Sequence, residues 1–160
     1  MDLHSNLAPV ESLIGVWRGE GTGHYPTIPS FTFDEELTFT KTGKPFLHYQ
    51  QRTWGPDGTP MHTETGYVRV VGSDLVEFVL ALPTGQAEMS EGPLIPTDTG
   101  FSMSLTSQVI NSSTAKLVEL AVRKYVVDGD QLHTSFDMAA VGQNLTNHLE
   151  TNLVRVGENS

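Results

Sequence analysis

Apolar and polar residues alternate along most of this 160-residue chain. The runs FTFDEELTF (31–39), PFLHYQQRTW (45–54), TGYVRVV (65–71) and DLVEFVLAL (74–82) carry a two-residue period. So do GFSMSLTSQVI (100–110), AKLVELAVRKYVV (115–127), QLHTSFDMA (131–139) and HLETNLVRV (148–156). That period belongs to strands with one buried face. Turn signals separate them: KTGKP, GPDGTP, VGSD, PTG, EGPLIPTDTG and DGDQ. One short helix is expected around APVESLIG (8–15), at an end of the structure. Strands at this spacing with tight turns predict an all-β antiparallel sandwich or barrel, and closure into a barrel removes the exposed edges of a single sheet. No repeat or composition break marks a second domain, so residues 1–160 are read as one.

The stretch GVWRGEGTGHYPTI (15–28) is dense in glycine, but a phosphate-binding loop needs a strand before it and a helix after it. Here Tyr25-Pro26 and another strand follow, and no lysine stands at the Walker spacing. A tightly bent first strand with Trp17 packed inside fits the pattern better.

Nine Lys and Arg against 19 Asp and Glu leave a formal charge of −10, which disfavours nucleic acid and anionic membranes and favours a small-molecule partner. No apolar run reaches the roughly 18 residues of a membrane helix. The first residues lack a secretory pattern and cysteine is absent, so a cytoplasmic location is expected.

Candidate chemistry is sparse. None of the six histidines (His4, His24, His48, His62, His133, His148) forms a helical zinc pair, and no GxSxG elbow is present. Asp34 and Glu36 share a strand face and read as solvated. Met61 and Met138 suit either a core or the wall of an apolar cofactor cavity. His148 opens the last strand in a conflicting register. Strict alternation sets it outward with Glu150 and Asn152, opposite Leu149, Thr151 and Leu153, so it reaches the interior only if a bend or short turn precedes it.

Taken together, GVWRGEGTGHYPTI, GKPFLHYQQRTW, DGTPMHTETGY, PTGQAEMSEG and MAAVGQNLTNHLETNLVR resemble the nitrobindins, haem-binding β-barrels shaped somewhat like fatty-acid-binding proteins. The likeness runs from about Gly15 to Arg155. It implies a ten-stranded antiparallel barrel with one haem b per chain, His148 as the axial iron ligand, and an open distal side. It also implies that the chain isomerises peroxynitrite to nitrate and binds nitric oxide. In the same way, His62 and Met61 are placed near the distal side, Met138 near the pocket wall and His24 at the rim. The signature GxWxGxG (Gly15, Trp17, Gly19, Gly21) would lie against the haem pocket. Lys116 is the implied propionate partner, with Arg52 and Arg69 as further cations. Two departures stand out: Asn144 occupies a position where the family favours proline, and 105–115 matches poorly. The alternatives are a non-catalytic carrier of haem or a fatty-acid-like ligand, and a haem-based nitric oxide sensor. Nothing in the sequence separates monomer from homodimer.

Overall fold

The computed structural model describes residues 2–140, 142 and 144–157. A 3-10 helix, η1 (Ser5–Leu13), precedes ten strands. These are β1 (Gly15–Gly23), β2 (Phe31–Lys41), β3 (Phe46–Trp54), β4 (Pro60–Val71), β5 (Leu75–Leu82), β6 (Gln86–Pro96), β7 (Gly100–Asn111), β8 (Val118–Asp128), β9 (Gln131–Ala140) and β10 (Thr146–Gly157). Each strand pairs antiparallel with its sequence neighbours, and β1 pairs with β10 to close the barrel. Closure satisfies the edge groups that an open sheet would expose.

The interior has two halves. Around the end covered by η1, Leu7, Val10 and Leu13 pack with Trp17, Phe39, Leu47 and Phe78 in one apolar cluster. The Trp17 indole N–H donates to the Leu13 carbonyl (2.8 Å), and the Arg155 guanidinium lies over its ring at 4.1 Å. Helix η1 is thus the plug of this end, as the sequence led one to expect. The other end is open and holds the cavity described below.

Two sequence expectations change. The stretch 91–100, read as a turn, is largely strand: β6 runs on to Pro96. Gly92 makes this workable, because a Cβ there would collide with the Ser104 backbone of β7. The β6–β7 pairing also skips Gly92 and Pro93 between Glu91↔Thr106 and Leu94↔Met103, so the missing proline N–H interrupts little.

The bend expected of β1 is confined to its start, where Gly15 has φ of 131° and the register against β10 shifts between Val16 and Trp17. Gly19, Gly21 and Gly23 lack positive φ; their role is space. A Cβ at Gly21 would enter the Phe33 ring and meet the Thr151 methyl at 2.7 Å, and one at Gly23 would enter the Phe31 ring. Gly21→Ala is therefore expected to cost about 1–3 kcal/mol as Phe33 is displaced toward the cavity, against a smaller gain of about 0.4–1 kcal/mol from a stiffer unfolded chain. Thermal unfolding checks this: the melting temperature should fall by several degrees, and an unchanged value would mean that the wall relaxes freely.

Candidate functional site

A cavity of about 550 Å³ opens at the end opposite η1. This is within the range of cofactor and ligand sites. Its walls come from every strand except β1. The upper part is mainly apolar, with Tyr25, Phe31, Phe33, Leu82, Phe136 and Met138 among its residues.

The floor is charged. Arg123 on β8 is buried and forks between two buried carboxylates: Nη1 donates to Glu64 Oε1 (2.7 Å) and Nη2 to Glu88 Oε2 (2.8 Å). Its Nε donates to Glu88 Oε1 at 2.8 Å, and its guanidinium lies 4.9 Å from the Phe136 ring centre. Tyr49 donates to Glu64 (2.8 Å), while Ser90 and Ser107 donate to Glu88. Burial alone would raise the Glu64 carboxyl, but Arg123 with His62 overcomes it and holds Glu64 at about 2. Glu88 is lowered in the same way, burial again being outweighed by Arg123.

Glu35 behaves oppositely. Its side chain enters the cavity from β2, where burial raises its carboxyl to about 7 against hydrogen bonds from Gln51 and Thr151. Gln51 donates its amide to Glu35 Oε1, and two buried atoms stay without a partner, Glu35 Oε2 and Gln51 Oε1.

His148 lies near the mouth, and its register conflict has a clear resolution. On β9, Phe136 and Asp137 are consecutive; they pair with Leu149 and Asn147, so His148 is the extra residue of a β-bulge. The bulge lets Leu149, Thr151 and Leu153 face inward while His148 is buried too, at 4% exposure. The Asn147 amide donates to Asp137 (2.9 Å) on one side, and the His24 amide donates to the His148 carbonyl (2.7 Å) on the other. Of the turn before it, Val141 and Gln143 fall outside the described residues, and Gly142 has φ of 73°.

The imidazole geometry identifies its tautomer. Nδ1 sits 2.6 Å from the Thr146 carbonyl oxygen, which can only accept, so Nδ1 carries the proton. Nε2 is then left with a lone pair. This is the arrangement of a metal-ligating histidine, oriented through its other nitrogen by a backbone carbonyl. Tyr25, whose ring lines the cavity, packs edge-on against the imidazole at 4.9 Å. His148 itself is not part of the cavity wall; the Tyr25 ring against it is.

The other sequence candidates divide. His62, Met61, Met138 and Lys116 all line the cavity. His62 is held through its backbone by Thr53, and its ring Nε2 approaches Glu64 at 3.5 Å. Trp17 does not border the cavity, and neither do Gly15, Gly19 and Gly21: inward positions on β1 are filled by phenylalanine rings from β2 above and by Trp17 in the η1 cluster below. The His24 ring turns away to Ser30 (2.8 Å), and only its backbone touches the His148 strand. Arg52 bonds outward to Glu36 and Arg69 to Glu77, so among the three candidate cations Lys116 alone borders the cavity. Glu36 is buried on the outer wall between Arg18 and Arg52, whereas Asp34 is exposed. His48 and His133 bond Thr65 and Asn152, and no cluster of three metal-ligating side chains occurs among the described residues.

Sequence reasoning missed the floor. The alternation that puts Phe33 and Leu37 inside puts Glu35 between them, and this was the available signal.

Residues 6–155 match the family model of the "THAP4-like, heme-binding beta-barrel domain". The chain belongs to that family. It is 49% identical over 155 residues to a protein named peroxynitrite isomerase from Nocardia farcinica, covering 96% of this chain and 92% of that one. Peroxynitrite isomerase 2 of Mycobacterium avium is 44% identical over 156 residues, covering 96% and 97%. The crystal structure of Rv2717c from M. tuberculosis superposes with a TM-score of 0.94 at 42% identity, covering 97% of this chain and 99% of that one. Haem is thus the cofactor of the family, and the cavity size, its apolar upper wall and the free Nε2 of His148 fit it.

Proposed function

We propose that this chain is a haem-dependent peroxynitrite isomerase, a single 160-residue domain holding one haem b through His148. The observation that supports the reading is the 2.6 Å contact from Nδ1 to the Thr146 carbonyl, which engages Nδ1 as a donor and leaves Nε2 as the nitrogen available to iron. When bound, haem would supply the redox-active iron for the conversion of peroxynitrite to nitrate, and His148 would hold it.

The protein's part is positional. Thr146 and the β10 bulge orient the ligand ring. Phe31, Phe136 and Met138 offer an apolar wall to the macrocycle, Lys116 offers a cation to a propionate, and His62 with Met61 stands on the open side. Nitric oxide binding at the same iron position is a related capability. The cytoplasm is the proposed location, supported by the absence of cysteine; no helix among the described residues is long and apolar enough to cross a membrane.

The floor argues against a fatty-acid carrier. A carboxylate head would meet Glu35, Glu64 and Glu88, and the Arg123 guanidinium is already engaged by two of them. Stopped-flow decay of peroxynitrite tests the enzymatic reading. The ferric holoprotein should accelerate decay in proportion to its concentration and shift the product toward nitrate, while the haem-free chain should not. Equal decay in both would make the protein a non-catalytic haem carrier.

A further inference from the structure

The cavity continues past its apolar upper half to a polar floor that the haem reading leaves without a task. Its charged and amide groups are largely engaged with one another. One of the two Gln51 amide N–H groups is given to Glu35, and Arg123 is engaged by Glu64 and Glu88. The Thr53 hydroxyl is spent on His62, and the Thr134 and Thr151 hydroxyls lie 2.6 Å apart, which lets Thr134 donate to Thr151 and Thr151 to Glu35. Among the described residues, two buried side-chain acceptors on adjacent strands have no partner, Glu35 Oε2 and Gln51 Oε1. Buried acceptors without donors are costly, so a visiting group with several N–H donors gains what the protein leaves unmade.

We propose that the cavity floor is a binding site for a small primary ammonium bearing a short apolar chain, its head held by Glu35 Oε2 and Gln51 Oε1. Three carboxylates against one guanidinium favour a cation there over an anion. The apolar tail would run up toward Phe33 and Leu37 on β2, which line the same cavity. The groups facing Glu35 are Gln51 on β3, Thr151 on β10, Glu64 on β4 and Arg123 on β8. Glu35 titrates at about 7, so the ammonium binds the ionised form and competes with the proton. None of this depends on His148, and loss of one site leaves the other intact.

The experiment titrates hexylammonium, hexanol and hexanoate into the full haem-free chain and into the haem-loaded chain, by calorimetry and by amide NMR shifts. Hexylammonium should bind the haem-free chain about tenfold or more tightly than hexanol, with shifts at Glu35, Gln51 and Thr151, and hexanoate should not bind. The Glu35→Gln variant should lose about tenfold or more of the amine affinity and keep that for hexanol within about twofold. Wild-type affinity for the amine should also be about tenfold or more weaker at pH 5.5 than at pH 8.5, a comparison that stands even if the variant does not fold. Hexanoate binding as well as the amine, an amine affinity untouched by both the variant and pH, or shifts confined to the acidic outer wall at Glu20 and Asp34 would each overturn the proposal. Weaker amine binding in the haem-loaded chain, with the same shifts, would support it by showing entry through the shared mouth.

Discussion

Arg123→Ala is expected to cost the barrel about 3–5 kcal/mol, and the melting temperature should fall by roughly 6–20 °C. The reason lies less in the lost ion pairs than in what they leave behind. Glu64 and Glu88 are both buried, and Arg123 is the cation that offsets their desolvation. Without it, two carboxylates share a poorly hydrated interior and ionise only at high cost. The contribution of Glu64 and Glu88 to the pH dependence should therefore change sign. In the wild type, Glu64 is held at about 2, below its unfolded value of 4.5, so its contribution is present above that value and is lost as pH falls toward 2. In the variant, burial acts unopposed and raises both carboxyls. Their penalty is then absent at low pH and grows as pH rises through the unfolded value. Urea unfolding at pH 5 and pH 8 checks this: the wild type already loses some stability over that range because burial raises Glu35 to about 7, and Arg123→Ala should lose clearly more. A further variant combining Arg123→Met, Glu64→Gln and Glu88→Gln should recover much of the loss, because neutral groups remove the unpaired charge. Unchanged stability in Arg123→Ala would mean that the cluster is well hydrated.

Strand period and turn chemistry made the barrel legible, and glycine and proline hid its exceptions. The alternation from Phe31 to Phe39 defines β2 without ambiguity. Gly92 and Pro93 disguised the continuation of β6, because sequence cannot show that β7 leaves those positions unpaired while β5 pairs with them. The site was legible in the same uneven way. His148 stood out by its conflict with the alternation, which is the mark a bulge leaves on a sequence. Its tautomer did not, since it depends on a carbonyl two residues away that the bulge brings within reach. Trp17 is conspicuous as a residue type yet belongs to the η1 end. Glu35 looked like one acid among three until the register separated it: Glu36 points to the outer arginines and Asp34 to solvent. The ion cluster of Glu64, Glu88 and Arg123 joins residues 59 and 35 positions apart, contacts that only barrel closure creates.

His148→Ala is expected to abolish stable haem binding, with a fall in affinity beyond the roughly 10- to 100-fold that follows loss of an outer partner of a metal ligand. Hemin titration of the purified variant should show no Soret band of bound haem at concentrations that saturate the wild type. The fold should survive, because the ring sits in a bulge near the mouth, outside the apolar cluster around Trp17. A far-ultraviolet spectrum and melting curve close to those of the wild type would establish this. The cavity left beneath Tyr25 is about the size of the deleted ring, so free imidazole added to the variant should restore part of the band. Rescue separates loss of a ligand from general damage to the pocket, which added imidazole would not repair. If the variant instead keeps an unchanged Soret band, the iron is held elsewhere. His62 is then the candidate to replace next, since it borders the same cavity from β4 and its ring is partly exposed.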